Sequence, residues 1–412
     1  MSRDNNLIQM TKEERETYFQ KNYFKDLAQI IKEVANDSPF YQKICEKADY
    51  MFDEELNYDN LHLVPYLQTN HYKEHLGLFP KLTRIPNNQI KYRTISTSTS
   101  GNPSIVARTK TDIDFLQTVA VDVYKDFVWW DKATYCFNFI PGKFMLKMVT
   151  RRSTKQKKAM MFVYFFNQPW ESHCNNVYMI YASILRNLWH WIRYFTTDSI
   201  FQMRTKKLKN TIKNRTENDF IILAGNTMLI YNVAEKLFKE KGETFNLGLQ
   251  GGVCTGGGGW DGVKGSLKSQ PFSKSDLVER MDEIFGISAD QIHDIYAFTE
   301  SSAVFPGHFS KKYQDQILHV PPYVKIIVRD IETLEPVKPG ETGLLEVLTP
   351  YGLSGNSSCA IIVDDIVHLI GDNESTCPEC GYKGAHFIHK GRQSPPDGQS
   401  CSSILDFFEK IR

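Results

Sequence analysis

A surplus of charge is what this chain most plainly lacks. Across 412 residues, Lys and Arg total 49 and Asp and Glu total 48, a net charge of +1. That balance removes any general electrostatic attraction to nucleic acid. The basic run RTKKLKNTIKNR, from Arg204 to Arg215, reads as the solvated face of a helix. Long apolar runs are missing too. The most apolar stretch, VYMIYASILRNLWHWIRYF, is broken by Arg186, Asn187, His190 and Arg193, which argues against a membrane span. The opening residues MSRDNNLIQMTKEERE have no apolar centre of the kind a secretory signal requires. Cysteine is sparse, with eight in the chain, and in a soluble cytoplasmic protein these read as thiols or metal ligands. Repeats and low-complexity linkers are absent. A 41% hydrophobic chain of this length suffices for one large or two unequal globular units.

Periodicity then supplies an order of elements. Tyr18, Phe19, Phe24, Leu27, Ile30, Ile31 and Val34 recur at helical spacing between Lys12 and Val34. IKYRTIS reads as a short strand, and KTDIDFLQTVAVDVYKDF, from Lys110, as a helix. FIILAGN reads as a buried strand, TMLIYNVAEKLFKEKG as a helix closed by Gly242, FNLGLQGGV as a further strand, SKSDLVERMDEIFG as a helix and DIYAFTES as the next strand. Alternation of this kind predicts an α/β sheet with ligands at the carboxyl ends of its strands. The segment YVKIIVRDIETLEPVKPGETGLLEVLTP differs and reads as an antiparallel hairpin or small barrel element.

Between the short strand and the helix at Lys110 lies TSTSGNPS, a loop rich in hydroxyls and closed by Gly-Asn-Pro. Ser and Thr hydroxyls with backbone amides can hold a phosphate in such a setting. Five segments in sequence order carry a resemblance: TSTSGNPS; YAFTES; the hairpin with D-x-E-T and P-G-E-x-G-x-L; VDDIV; and CPECGY followed by HKGR. Together they resemble the adenylate-forming superfamily, in its phenylacetate-CoA ligase and acyl-protein synthetase branches. TGGGGWDGVKG and a cysteine in the tail GRQSPPDGQSCSSILDFF are similar to the long-chain fatty acyl-protein synthetases, the LuxE-like branch. The implied fold is α/β: a large adenylate-forming domain of layered sheets and helices, a small β-hairpin or barrel element, and a truncated mobile C-terminal domain. Residues 1–90 would form a helical N-terminal region of that domain, 91–390 the adenylate-forming core and 391–412 a short tail.

The resemblance implies roles for particular residues. Thr97, Ser98, Thr99, Ser100 and Gly101 would be the phosphate loop of an ATP site. Glu300 would hold Mg²⁺ and Thr299 would contact the α-phosphate. Tyr296 would pack on adenine, with the backbone near Gly257 and Gly258 closely approaching the base. Asp365, with Asp364 as the alternative, would bind the ribose hydroxyls, and Arg392 would reach ribose and phosphate. Cys401 would accept the acyl group as a thiolate nucleophile. Ordinary alternatives stand beside these: strand aromatics, a surface carboxylate, a turn, a tail cysteine with no role. Trp260 and the aromatic-rich segment 164–195 are either acyl-pocket lining or core. Departures also matter. Ser98 stands at a glycine position and Ser104 where the phosphate loop closes on lysine, leaving Lys110, Arg108 or Lys264 as substitutes.

Cys377 and Cys380 form a Cys-x-x-Cys half-site for zinc. His386 and His389, or Cys359, are the candidates to complete it, and a metal-free turn is the competing reading. The activity implied is ATP-dependent activation of a carboxylic acid, in particular a fatty acid, as acyl-AMP, followed by transfer to Cys401 and on to a partner protein or reductase. A CoA-accepting ligase and a non-catalytic nucleotide-binding scaffold are the alternatives.

Overall fold

Local capping chemistry sets the helices of the computed structural model, which describes residues 3–73, 78–95, 104–127, 135–139, 159–161, 177–179, 181–183, 201–203, 205–235, 242–260, 263–264, 267–268 and 270–392. The helix Lys12–Asp37 starts at Thr11, whose hydroxyl accepts from the Glu14 amide while the Glu14 carboxylate accepts from the Thr11 amide. Its apolar stripe, Phe19, Tyr23, Leu27, Ile30, Ile31 and Val34, is buried. Ser273 opens Lys274–Phe285 in the same way, and Gly286, at φ 64°, closes it in the left-handed region. Thr227–Val233 is capped by the Asn226 side chain. No helix among the described residues is long and apolar enough to cross a membrane.

A 12-stranded sheet organises the molecule. Its strands are β1 (Leu67–Gln68), β2 (Tyr135–Phe139), β3 (Val177–Met179), β4 (Ile221–Asn226), β5 (Gly251–Gly256), β6 (Ile292–Ala297), β7 (Val304–Ser310), β8 (Asp315–His319), β9 (Lys325–Arg329), β10 (Thr342–Leu348), β11 (Ala360–Gly371) and β12 (His386–Arg392). Their spatial order is β9-β10-β11-β12-β8-β7-β6-β5-β4-β2-β3, with β1 added alongside β11. Pairing is parallel from β3 through β2, β4 and β5 to β6. It is antiparallel from β6 to β9. The parallel half is the predicted α/β alternation, and β4 and β5 are buried along nearly their whole lengths, as strands covered on both faces must be.

The strand expected over FNLGLQGGV begins later, at Gly251, because residues 248–250 form a 3₁₀ turn. The hairpin expected between Tyr323 and Pro350 is present as β9 and β10, but it continues the large sheet instead of standing apart. One apolar cluster joins Leu7, Phe19, Leu27 and Tyr41 from the N-terminal helices to Phe115, Tyr323, Leu345, Tyr351, Ile361 and Phe387. The second cluster fills the space between β4, β5 and the helix Lys274–Phe285.

Candidate active site

The antiparallel half of the sheet curls. Tyr296 on β6 and Asp365 on β11 are four strand positions apart, about 19 Å in a flat sheet. Yet the Tyr296 hydroxyl donates to Asp365 Oδ2 at 2.8 Å. The β8–β12 ladder consists of Leu318↔Phe387 and His319↔His386, after which the two strands part. The freed half of β12 swings its side chains into the space between Tyr296 and β11.

A bulge then sorts those side chains. His389 and Arg392 are three residues apart, which in a regular strand places them on opposite faces. Asp365 pairs with Arg392, Ile366 with Gly391 and Val367 with His389, so Lys390 is the extra residue. With Gly391 at φ 129°, the bulge brings His389 and Arg392 onto one side of Asp365. His389 Nε2 lies 2.8 Å and Arg392 Nε 3.1 Å from Asp365 Oδ1. An ionised carboxylate only accepts, so Nε2 carries the histidine's proton. Burial alone would raise the Asp365 pKa, but the hydrogen bonds from His389 and Tyr296 and the charge of Arg392 hold it well below the usual carboxylate range. The Tyr296 ring is flanked by His389 at 5.3 Å and Phe305 at 5.7 Å between centroids. Burial and the Asp365 charge push its hydroxyl pKa well up.

Asp364 points the other way, as strand alternation requires, and takes Lys73 Nζ at 2.9 Å. Lys73 ends the short helix Thr69–Lys73, which Thr69 fastens to β11 by donating to the Ile362 carbonyl at 3.1 Å. Its ammonium also acts on Glu300. Glu300 is buried just past the carboxyl end of β6, where Ser104 donates to Oε1 and Ser358 donates to its carbonyl. Burial pushes the Glu300 pKa up, while the Lys73 charge and the Ser104 hydrogen bond oppose it. Thr299 is buried beside it.

The substitutes expected for the missing lysine are otherwise engaged. Arg108 is buried and donates to the carbonyls of Gly352 at 2.8 Å and of Thr299 and Ser301 at 3.1 Å each, so it holds the Thr-Glu-Ser turn in place. Lys110 pairs with Asp114 on an exposed helix face. The Lys264 side chain lies outside the described residues. Lys73 is the cation the structure brings to Glu300, and no motif signals it because it arrives from a segment far away in sequence.

Gly257, Gly258 and Gly259 follow β5 with φ of 81°, 68° and 95°, a conformation side chains resist. A Cβ at Gly258 would meet open space, so close packing does not account for that residue. Trp260, after them, packs on Phe272 with Lys274 over its ring. Thr97, Ser98, Thr99, Ser100, Gly101 and Cys401 lie outside the described residues, as does most of the aromatic segment 164–195. The histidines expected beside Cys377 and Cys380 are placed elsewhere: His389 faces Asp365, and His386 turns Nδ1 to the Gly384 carbonyl at 3.1 Å. Cys359 is buried next to Tyr41. The pair instead meets His308 and His319.

Comparison with known proteins gives the family and the fold of the chain. The acyl-protein synthetase family, LuxE, matches residues 3–407. The long-chain-fatty-acid–luciferin-component ligase of Vibrio harveyi is 24% identical over 329 residues, 79% of this chain and 73% of its own length. That of Aliivibrio fischeri is 24% identical over 381 residues, 91% of this chain and 86% of its own. In fold, the chain is similar to 2-hydroxyisobutyryl-CoA ligase solved in the postadenylation state with R3-HIB-AMP, with a TM-score of 0.53 and 13% identity over 94% of this chain and 70% of that one.

Proposed function

The chain belongs to the acyl-protein synthetase (LuxE) family, and from that premise we propose that it uses ATP to convert a long-chain fatty acid to its acyl-adenylate and then passes the acyl group to a protein thiol. The observation that carries this reading is a buried Glu300 just past the carboxyl end of β6 together with an ionised Asp365 on β11 that Tyr296 of β6, His389 and Arg392 hold in place.

Asp365 binds the ribose diol. Its low pKa keeps it a pure acceptor for two hydroxyl donors at neutral pH. Arg392 lies beside it as a cation toward the phosphates, and the Tyr296 ring offers a face for adenine. The loop Thr97 to Gly101 supplies hydroxyls and amides to the phosphates, with Thr299 next to the α-phosphate. Gly257 and Gly258 leave room for the base.

Mg²⁺ fits Glu300. A carboxylate and hydroxyl oxygens are the hard donors that ion takes, and burial without a cation disfavours the Glu300 anion. Bound there, the ion would supply positive charge against the phosphates. Lys73 contributes a further positive charge where the loop offers Ser104 in place of lysine. The reaction joins a fatty carboxylate oxygen to the α-phosphorus and expels pyrophosphate. A thiolate then attacks the acyl carbonyl, and AMP departs.

For the acceptor, burial pushes the thiols of Cys45, Cys254 and Cys359 up, and Cys380 is raised to about 11 by partial burial. None of these is a ready nucleophile. The position of Cys401 in the tail supports it as the acceptor, from which the acyl group moves to a partner protein. The buried free thiols suit the reducing cytoplasm.

The test is intact-mass analysis after incubation with ATP, Mg²⁺ and a panel of fatty and aromatic acids. An acyl adduct that requires ATP and is absent from Cys401→Ala is expected. AMP release without any adduct, accelerated by coenzyme A, would overturn the protein-thiol half of the reading.

A further inference from the structure

Away from the nucleotide side, four side chains from three separate segments converge. His308 lies on β7, His319 on β8, and Cys377 and Cys380 in the turn between β11 and β12. Nδ1 or Nε2 of each histidine and Sγ of each cysteine all lie within 4.8 Å of one another. His308 Nδ1 is 2.9 Å from His319 Nε2, and Cys380 Sγ is 3.4 Å from that same nitrogen. Zn–N bonds near 2.0 Å and Zn–S bonds near 2.3 Å give a tetrahedron with edges of about 3.3–3.8 Å. The observed separations bracket those edges. We propose that Cys377, Cys380, His308 and His319 form a structural zinc site.

Three features of the surroundings favour a metal over a chance cluster. First, the turn has the build of a metal knuckle. The Cys377 amide donates to the Tyr382 carbonyl at 2.8 Å, the Gly381 amide to the Cys377 carbonyl at 2.9 Å, and Gly381 takes φ 75°. The Tyr382 amide is hydrogen-bonded to the Cys380 sulfur, which fixes the turn around it. Second, the two histidines are already held face to face, their rings stacked with centroids 5.1 Å apart and His319 buried. Third, His308 has an outer partner of the usual kind for a ligating histidine. Its Nε2 lies 3.6 Å from Glu379 Oε2, and Ser310 donates to Glu379 Oε1 at 2.6 Å.

Binding balances simply. Each cysteine releases its proton to solvent, and two thiolates with two neutral imidazoles cancel the charge of the ion. The site bolts the β7–β8 hairpin, which leaves the Glu300 turn, to the turn that starts β12. β12 in turn carries His389 and Arg392. The ion is thus a brace for the ribose side and takes no part in chemistry.

The proposal is independent of the acyl chemistry, because metal content is read without turnover. Full-length protein purified from zinc-supplemented cells is expected to carry one zinc per chain by mass spectrometry of the metal. Cobalt exchanged into it is expected to show the charge-transfer and ligand-field bands of a tetrahedral site with two thiolates. His308→Ala, His319→Ala and Cys380→Ser should lose the metal, while His386→Asn and His389→Asn retain it. Wild-type protein with no zinc above the buffer level and no cobalt-thiolate absorption would overturn the proposal, with no variant needed. Loss from the His386 and His389 variants with retention in the His308 and His319 variants would also overturn it.

Discussion

At the scale of single residues, the site is defined by how two carboxylates are treated. Asp365 is surrounded by donors and held ionised. Glu300 is buried and held toward neutrality, with Lys73 as the opposing charge. Glu300 must be an anion to hold a cation, so activity is lost as pH falls through its raised pKa. The acid limb of kcat/KM for adenylation therefore lies above the ordinary glutamate range. Lys73→Met removes a charge that lowers that pKa, so the limb should move to higher pH. Lys73 acts on Glu300 through space, and each pH unit by which the limb rises costs about tenfold in rate at a fixed pH below it. A pH–rate series on wild type and variant measures both, and an unmoved limb would remove Lys73 from the account. Asp365, Glu300 and Arg392 were legible in sequence because each sits inside a motif. Lys73 was not, since its role depends on where the helix Thr69–Lys73 docks against β11.

At the scale of elements, the bulge in β12 decides which side chains share a face. Sequence periodicity assigns His389 and Arg392 to opposite faces, and the eye instead groups His389 with the nearby Cys-x-x-Cys. Only the extra residue at Lys390, with Gly391 at φ 129°, turns both toward Asp365. A Cβ at Gly391 meets no atom within 4 Å, so the cost of Gly391→Ala lies in the backbone angle alone. That cost is about 1–3 kcal/mol. If the bulge relaxes to escape it, Arg392 leaves Asp365. A several-fold rise in KM for ATP, with a smaller change in the KM for the acid, is expected from initial-rate kinetics. An equal rise in both would indicate general destabilisation. Regular elements were the easiest to read: the helices Lys12–Asp37 and Lys274–Phe285 carry both the apolar stripe and the capping residues.

At the scale of the whole molecule, the N-terminal helices share their core with the far end of the chain. Tyr23 donates to the Leu348 carbonyl at 2.8 Å, Tyr351 to Asp26 at 3.0 Å, and Arg15 grips Asp122 through two bonds of 2.8 and 2.9 Å. Such pairing over hundreds of residues leaves no periodic trace, which is why no motif in residues 1–90 signals it. It also predicts that a fragment starting at residue 91 will not fold cooperatively. Removing its partners exposes the apolar faces of Tyr323, Leu345, Ile361 and Phe387. Urea titration followed by circular dichroism should show no sigmoidal transition for the fragment, in contrast to the full chain.

The central claim is that Asp365 and its three partners hold the nucleotide of an acyl-adenylate, upstream of any thiol. Acid-dependent exchange of labelled pyrophosphate into ATP tests it most directly, because exchange requires adenylate formation and its reversal and nothing later. The account predicts exchange in wild type with long-chain fatty acids, undiminished exchange in Cys401→Ala, and a loss of about 10- to 100-fold in Asp365→Asn from weakened charged hydrogen bonds. Exchange that persists at the wild-type rate in Asp365→Asn would contradict it.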